Sequence, residues 1–189
     1  MEFNKIKKTD CITIVHLFDK LFGKNFISLE TVNSWIGNKN KIAFCYSEKE
    51  TVIGFIFYEL DQVEDLKNSY LSHGDVVSKY FSDCEKIAKL NYIGVDVNYQ
   101  NRGIASQLFK KSIHQLIDSV DGIVSVCWEK EETNNMRNIL INNNFQMLKF
   151  IPKYWYNDSI EKNYNCAICG TPPCKCNAEI FALKKPLNF

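Results

Sequence analysis

The sequence predicts a mixed α/β (α+β) protein built around a single sheet flanked by helices, and three observations carry that reading. Residues 90–115, LNYIGVDVNYQNRGIASQLFKKSIHQ, run as an apolar strand, a polar turn with one glycine, and a long amphipathic helix. Two β-rich runs at 42–46 and 51–60, joined by SEKE, read as a hairpin. Along the whole chain the order is β, α, α, β-β, β-α, β-α, β, with no internal repeat.

Taken in order, residues 3–8 form a short first strand. Asp10 or Thr9 caps a helix over 11–22, whose apolar side carries Ile14, Val15, Phe18, Leu21 and Phe22, and Gly23 stops it. Ser28, with Thr31, starts a short helix over 29–36 that Gly37-Asn38 ends. After the hairpin, residues 61–89 are longer and less regular than a typical connection. An amphipathic turn through Val76, Val77, Tyr80 and Phe81 suits either a surface excursion packed by its own aromatics or a substrate-facing insertion.

Tyr92, Ile93, Val95 and Val97 then supply the strand of the central stretch. Its helix buries Ile104, Leu108, Phe109, Ile113, Leu116 and Ile117. Residues 122–128 form another apolar strand, and 134–143 a helix with Met136, Ile139 and Leu140 inward and Asn144 as a left-handed cap. Residues 146–151 return as a strand interrupted by Pro152. Tyr154-Trp155-Tyr156 reads as extended, so Tyr154 and Tyr156 share a face and Trp155 takes the other. Residues 178–183 are the final strand.

At 189 residues, 46% hydrophobic and 13% aromatic, the chain is long and apolar enough for one globular domain with a real core. Its 23 basic and 22 acidic residues leave a formal charge of +1, so no global field recruits nucleic acid or an anionic membrane. No run spans a bilayer, and MEFNKIKKTD lacks the apolar segment of a secretory signal, so the expected location is cytoplasmic. There the eight cysteines are expected as thiols or metal ligands, not disulfides.

The turn at Gln100-Asn101-Arg102-Gly103-Ile104-Ala105 opens a helix, and an uncapped helix start offers free N–H groups and a positive dipole end to an anion. Without a side chain at Gly103, a phosphate can approach the backbone closely. These six residues match Q/R-x-x-G-x-G/A and resemble the acetyl-coenzyme A signature of GNAT-type N-acetyltransferases. The strand Ile93-Gly94-Val95-Asp96-Val97 before it, and residues 133–145 after it, lie where that family places its pantetheine strand and next helix. The resemblance implies a mostly antiparallel GNAT-like sheet over about residues 3–156.

It also implies cofactor contacts. Backbone amides of Gln100, Asn101, Arg102, Gly103, Ile104, Ala105 and Ser106 would hold the pyrophosphate. Backbone groups of Ile93, Gly94 and Val95 would run beside pantetheine, and one of their amides would stabilise the developing oxyanion. Asn134 would contact the cofactor from the next helix. The family's tyrosine acid falls at Leu140, so that donor is missing. An amine must lose a proton before it attacks a thioester, and Glu129 and Glu59 are the candidate bases, each also readable as a solvated strand charge. Tyr154 and Tyr156 are candidate proton donors or aromatic walls for the acceptor. His16, His73 and His114 are scattered and carry no role.

A second signal stands apart from the family pattern. Cys166, Cys169, Cys174 and Cys176, spaced C-x2-C-x4-C-x-C around Gly170 and two prolines, read as a tetrahedral metal knuckle at about 163–177. Zinc is the first choice and an iron–sulfur cluster the other. A closed four-thiolate site is structural, not catalytic. The leading function is acetyl transfer from acetyl-CoA to a primary amine of a small molecule or peptide, by direct attack in a ternary complex, in a monomer or homodimer. A non-catalytic coenzyme-binding module and a zinc-knuckle adaptor are the alternatives, the latter disfavoured by near-neutral charge.

Overall fold

The computed structural model describes residues 1–68, 70–129 and 135–185. Seven strands make one mixed sheet: β1 (Glu2–Lys5), β2 (Lys41–Glu48), β3 (Thr51–Gln62), β4 (Lys86–Val95), β5 (Gly122–Trp128), β6 (Gln146–Ile151) and β7 (Ala178–Lys184). Their order is β1-β2-β3-β4-β5-β7-β6, and every neighbouring pair is antiparallel except β4 with β5. The helices are α1 (Cys11–Leu21), α2 (Leu29–Asn33), α3 (Gly74–Tyr80), α4 (Ile104–Leu116), α5 (Asn135–Asn142) and α6 (Tyr156–Lys162). The predicted fold class is therefore the observed one.

Local chemistry accounts for most of these elements. Ile14, Leu17 and Phe18 of α1 are buried, and the helix runs out just before Gly23, whose φ of +121° suits glycine. Ser28 caps α2 by accepting the Thr31 N–H at 3.0 Å. The β2–β3 turn places Lys49 and Glu50 both at positive φ, the geometry whose twist matches a two-residue hairpin. Asn144 takes the left-handed position after α5 at φ +63°, as predicted.

One face of the sheet packs α4 and α5 over Ile56, Tyr58 and Leu90, with Leu108, Phe109 and Leu140 buried against them. The other face carries two separate clusters. Phe18 of α1 stacks on Phe55 at 4.5 Å between ring centroids. Val77 and Phe81, with Leu66, cover Ile87, Val124 and Ile180. Between those two clusters the second face is left open.

Two features of β4 shape that opening. Phe57 lies opposite Tyr92 and Tyr58 opposite Leu90, so Asn91 is the extra residue of a bulge. The parallel pairing with β5 covers only Ile87–Leu90 against Gly122–Ser125, although β4 continues to Val95 and β5 to Trp128. Beyond those pairs the two strands have no ladder between them. Asp121 fixes where the pairing starts: its Oδ2 accepts the N–H groups of Glu85 at 2.9 Å and Lys86 at 3.0 Å.

Two local expectations are corrected. The central strand ends at Val95, not Val97, because the Asp96 side chain accepts the Asn98 N–H and opens a 3-10 turn over Val97–Tyr99; Val97 is 57% exposed. Tyr154-Trp155-Tyr156 is not a strand. Pro152 has no N–H to donate, Lys153 adopts φ +50°, and the chain turns there before α6 begins at Tyr156. Tyr154 and Tyr156 therefore do not share a strand face. The 61–89 region is more ordered than expected: a 3-10 segment (Val63–Asn68), α3, and the first residues of β4.

Candidate functional site

The site forms where β4 and β5 part. The Asp96 N–H bonds to the Ile53 carbonyl at 2.8 Å, while Val95 lies opposite Gly54 and Ile93 opposite Ile56. Hydrogen-bonded pairs alternate along an antiparallel ladder, so the peptide groups of Ile93 and Val95 face away from β3, toward the gap. The Gln100 side-chain amide folds back and donates to the Val95 carbonyl at 3.0 Å, which leaves the Val95 N–H aimed at the gap. Gly94 points the other way. A Cβ there would sit 2.7 Å from both Leu21 and Phe55, so this glycine lets α1 approach the sheet.

Next comes the turn into α4. Asn101 at φ +60° and Gly103 at φ +74° both adopt left-handed backbone, and successive peptides of this kind turn their amides to one side. Gly103 is the N-cap of α4 and no side chain caps that helix, so its first-turn N–H groups stay available. Nothing lies within 4 Å of the place where a Gly103 side chain would project. Arg102 does not reach out: its guanidinium bonds the Asn98 carbonyl at 2.9 Å and lies 5.1 Å over the Tyr99 ring. Ile104 is buried as the anchor of the helix, and Ala105 and Ser106 are half-buried. Asn134 lies outside the described residues.

On the opposite face of the sheet a cleft of about 400 Å³ opens onto the same gap. Glu59, Lys89, Asn91 and Tyr92 form its sheet side, Phe22 and Phe26 one wall, and Trp128, Tyr154 and Trp155 the other. Glu59 accepts the Asn91 side-chain N–H at 3.1 Å and has Lys41 and Lys89 at 3.6 and 3.8 Å. The bulge at Asn91 is what turns this amide onto Glu59. Tyr70 adds its ring from the 61–89 region, with the Lys89 ammonium 5.3 Å from the ring centroid. Tyr70 is only 5% exposed, and its hydroxyl has no hydrogen-bond partner among the described residues. Burial, reinforced by Asp61, Tyr154 and Glu59, holds this phenol well above its ordinary pKa, so it keeps its proton. Burial likewise raises Tyr154 and Tyr92.

The candidate residues divide on this geometry. Glu59 and Tyr154 line the cleft. Glu129 is engaged elsewhere, accepting the Asn177 side-chain N–H at 2.8 Å. Tyr156 is 40% exposed and lines a neighbouring cavity of about 360 Å³. Leu140 is fully buried in the core, so no proton donor is hidden in that register. Tyr70, Lys89, Asn91 and Trp128 were not singled out from the sequence. Tyr70 has one visible signal, an aromatic inside an otherwise polar stretch; the others depend on the bulge and the divergence of the strands.

The four knuckle cysteines converge. Their sulfurs all lie within 4.8 Å of one another, with Cys166–Cys176 at 3.8 Å, Cys169–Cys176 at 3.4 Å and Cys169–Cys174 at 4.0 Å. Zinc bound tetrahedrally at ~2.3 Å from each thiolate would separate them by ~3.8 Å. Cys166 and Gly170 exchange backbone hydrogen bonds of 2.8 and 2.9 Å, which folds the loop back. The Ile168 and Cys169 amides then point at the Cys166 sulfur at 3.4 Å, and the Lys175 amide at Cys169 at 3.3 Å. The donor set therefore fits a tetrahedral soft-ligand metal.

The model of the acetyltransferase (GNAT) family matches residues 13–139, about two thirds of the chain. The chain belongs to the GNAT acetyltransferase family. Solved structures agree on the fold. The Arabidopsis thaliana NAA60 structure in complex with a bisubstrate analogue superposes with TM-score 0.70 at 13% identity, over 99% of both chains. NAA60 from the same plant in complex with acetyl-CoA gives 0.71 at 14%, over 97% of each. The ribosomal-protein-S18-alanine N-acetyltransferase from Escherichia coli gives 0.65 at 15%, over 100% of this chain and 97% of that one. One curated protein, the endoribonuclease YbeY of Phocaeicola vulgatus, is 22% identical over 117 residues, covering 60% of this chain and 81% of that protein. That similarity is too slight to carry a fold or an activity beside a full-length structural match. Among the described residues no helix is long and apolar enough to cross a membrane.

Proposed function

We propose that this acetyltransferase moves the acetyl group of acetyl-CoA to a primary amine, by direct attack in a ternary complex. One observation carries the reading. The gap between β4 and β5 joins an uncapped helix start on one face to an aromatic, carboxylate-bearing cleft on the other. Residues 100–106 suit the pyrophosphate through their backbone amides, and the Val95 or Ile93 N–H suits the thioester oxygen as charge develops on it. The acetyl-CoA complex of NAA60, which shares the fold, supports this cosubstrate.

In this reading Glu59 takes the proton of the incoming ammonium, either directly or through water. The freed nitrogen attacks the thioester carbonyl and forms the C–N bond. The nitrogen gives up its second proton to water, collapse of the tetrahedral intermediate breaks the C–S bond, and the departing thiolate takes up a proton. Tyr70, buried and protonated with no partner for its hydroxyl among the described residues, is the best-placed donor, with Tyr154 beside it. Asn91 orients Glu59 through its hydrogen bond, with Lys89 beside it. The four cysteines hold a structural zinc and take no part in the chemistry.

The test is release of free thiol from acetyl-CoA over a panel of amines that includes peptide N-termini, lysine, polyamines and aminoglycosides. Release that depends on an amine, with acetylated product by mass spectrometry, supports the reading. Acetyl-CoA binding without release for any amine would make the chain a coenzyme-binding module instead. Tyr70→Phe keeps the ring and removes the donor; a kcat fall of about 10²-fold or more is the expected outcome.

A further inference from the structure

We propose that the four-cysteine knuckle assembles the acceptor cleft, so that bound zinc governs the acceptor half of the site and leaves the coenzyme half untouched. This rests on the reading of the cleft as the acceptor site. Residues 164–177 hold no strand or helix beyond an isolated Cys166–Gly170 bridge, yet they reach four separate segments that wall the cleft.

At the end of α1, the Ala167 N–H bonds the Phe22 carbonyl at 3.2 Å. The Asn165 carbonyl lies so close to Gly23 that any side chain there would meet it at 2.2 Å. Tyr164 meets Phe26 edge-on at 5.6 Å. At the end of β5, Trp128 packs on the cysteines. After β6, the Cys176 carbonyl accepts the Tyr154 N–H at 3.0 Å, and Trp155 lies against the same sulfurs. On α6, the Cys174 N–H bonds the buried Ser159 hydroxyl at 2.8 Å, and the Tyr164 hydroxyl bonds Asp158 at 3.0 Å.

Phe22, Phe26, Trp128, Tyr154, Trp155 and Asp158 all line the cleft, and each belongs to a segment held by this one loop. Four thiolates this close repel one another, and a cation bound among them turns that repulsion into a cross-link. Without it the loop loses its cross-link and the walls lose their common anchor. The coenzyme loop is tied instead to Val95 and Asn98, on the other side of the gap.

The experiment uses the full chain as purified, stripped of metal by a chelator and reloaded with zinc. Metal content, amide hydrogen exchange by mass spectrometry and acetyl-CoA affinity by calorimetry are read in each state. The expected result is one zinc per chain. Stripping should speed exchange at least about tenfold in peptides covering 22–28, 126–129 and 152–177, while 92–107 stays protected. The acetyl-CoA dissociation constant should stay within about twofold and the effect reverse on reloading. Faster exchange confined to 164–177, or spread through β4 and α4 with loss of coenzyme affinity, overturns the proposal, as does purified protein without metal. Failure of the zinc-loaded protein to bind acetyl-CoA would sink the acetyltransfer reading alone, since the exchange pattern is read without any ligand.

Discussion

The two halves of this site are built by opposite means. The proposed coenzyme half is continuous in sequence: one strand, a turn with left-handed residues at 101 and 103, and the start of α4, which offers backbone amides. The proposed acceptor half gathers side chains from the segment after α1, β3, β4, β5, the 61–89 region and the turn after β6, and a separate loop ties much of it together. Backbone recognition of a fixed cofactor needs few side chains, so side-chain identity can vary over the turn. Recognition of an acceptor needs specific groups at fixed places, and those places come from tertiary structure.

If the halves are independent, each should fail alone. Glu59→Gln should show the largest effect: kcat for the best amine falls by about 10²–10³-fold, while acetyl-CoA affinity by calorimetry is unchanged. A parallel loss of coenzyme affinity would mean that the two halves are one unit. Gly103→Val is the reverse test. Its φ of +74° is strained for a β-branched residue by ~1–2 kcal/mol, and the surrounding space is open, so backbone geometry and not collision is what changes. The KM for acetyl-CoA should rise about tenfold with the amine KM unmoved, and Gly103→Asn should be milder because asparagine tolerates this conformation.

The same contrast explains what the sequence could tell. The hairpin, the α4 stripe, the Ser28 and Asn144 caps and the 100–106 turn are local patterns, and each appears where its residues predict it. The Cys166–Cys176 spacing was legible for the same reason. The misread segment, Tyr154–Tyr156, has β-forming side chains; the override came from Pro152 and from a partner remote in sequence, the Cys176 carbonyl that takes the Tyr154 N–H. Glu59 could be nominated from sequence, but its link to Asn91 could not, because that depends on a one-residue bulge set by pairing with β3. Tyr70 was hidden by its setting: φ of +57° in a turn and burial by distant residues leave no periodic trace.

A device shared by both halves should damage both equally. Asp121 sets where β4 and β5 begin to pair, and the amides of Lys86 and Glu85 hold its carboxyl below the usual range. Hydrogen bonds to a charged group on a partly exposed site are worth about 1 kcal/mol after screening. Asp121→Ala should therefore lower Tm by about 2–4 °C and raise both KM values modestly. Because the folded pKa is depressed, this contribution is present above the unfolded value of about 3.9 and is lost as pH falls through the folded one. The Tm gap between the two proteins should accordingly close as pH is lowered from 7 to below about 4. A gap that persists at low pH would mean that the carboxylate is not its source.

The smallest effect belongs to the contact that ties the sheet to the coenzyme helix. The Tyr58 hydroxyl meets the Ser112 hydroxyl at 2.8 Å, both fully buried, and Ser112 also donates to the Phe109 carbonyl at 2.9 Å. Ser112 thus spends its proton on the helix and receives one from the phenol. Tyr58→Phe removes that donor along with its own need for a partner and leaves a ring of nearly the same shape. The remaining hydroxyl lacks only an incoming bond, so the loss should be about 0.5 kcal/mol, at the low end for a buried hydrogen bond. Denaturant titration measures it, and the acetyl-CoA KM should not move. A coenzyme defect from this variant would show that α4 is placed by this one hydrogen bond and not by Leu108, Phe109 and Ile113, whose burial carries the helix onto the sheet.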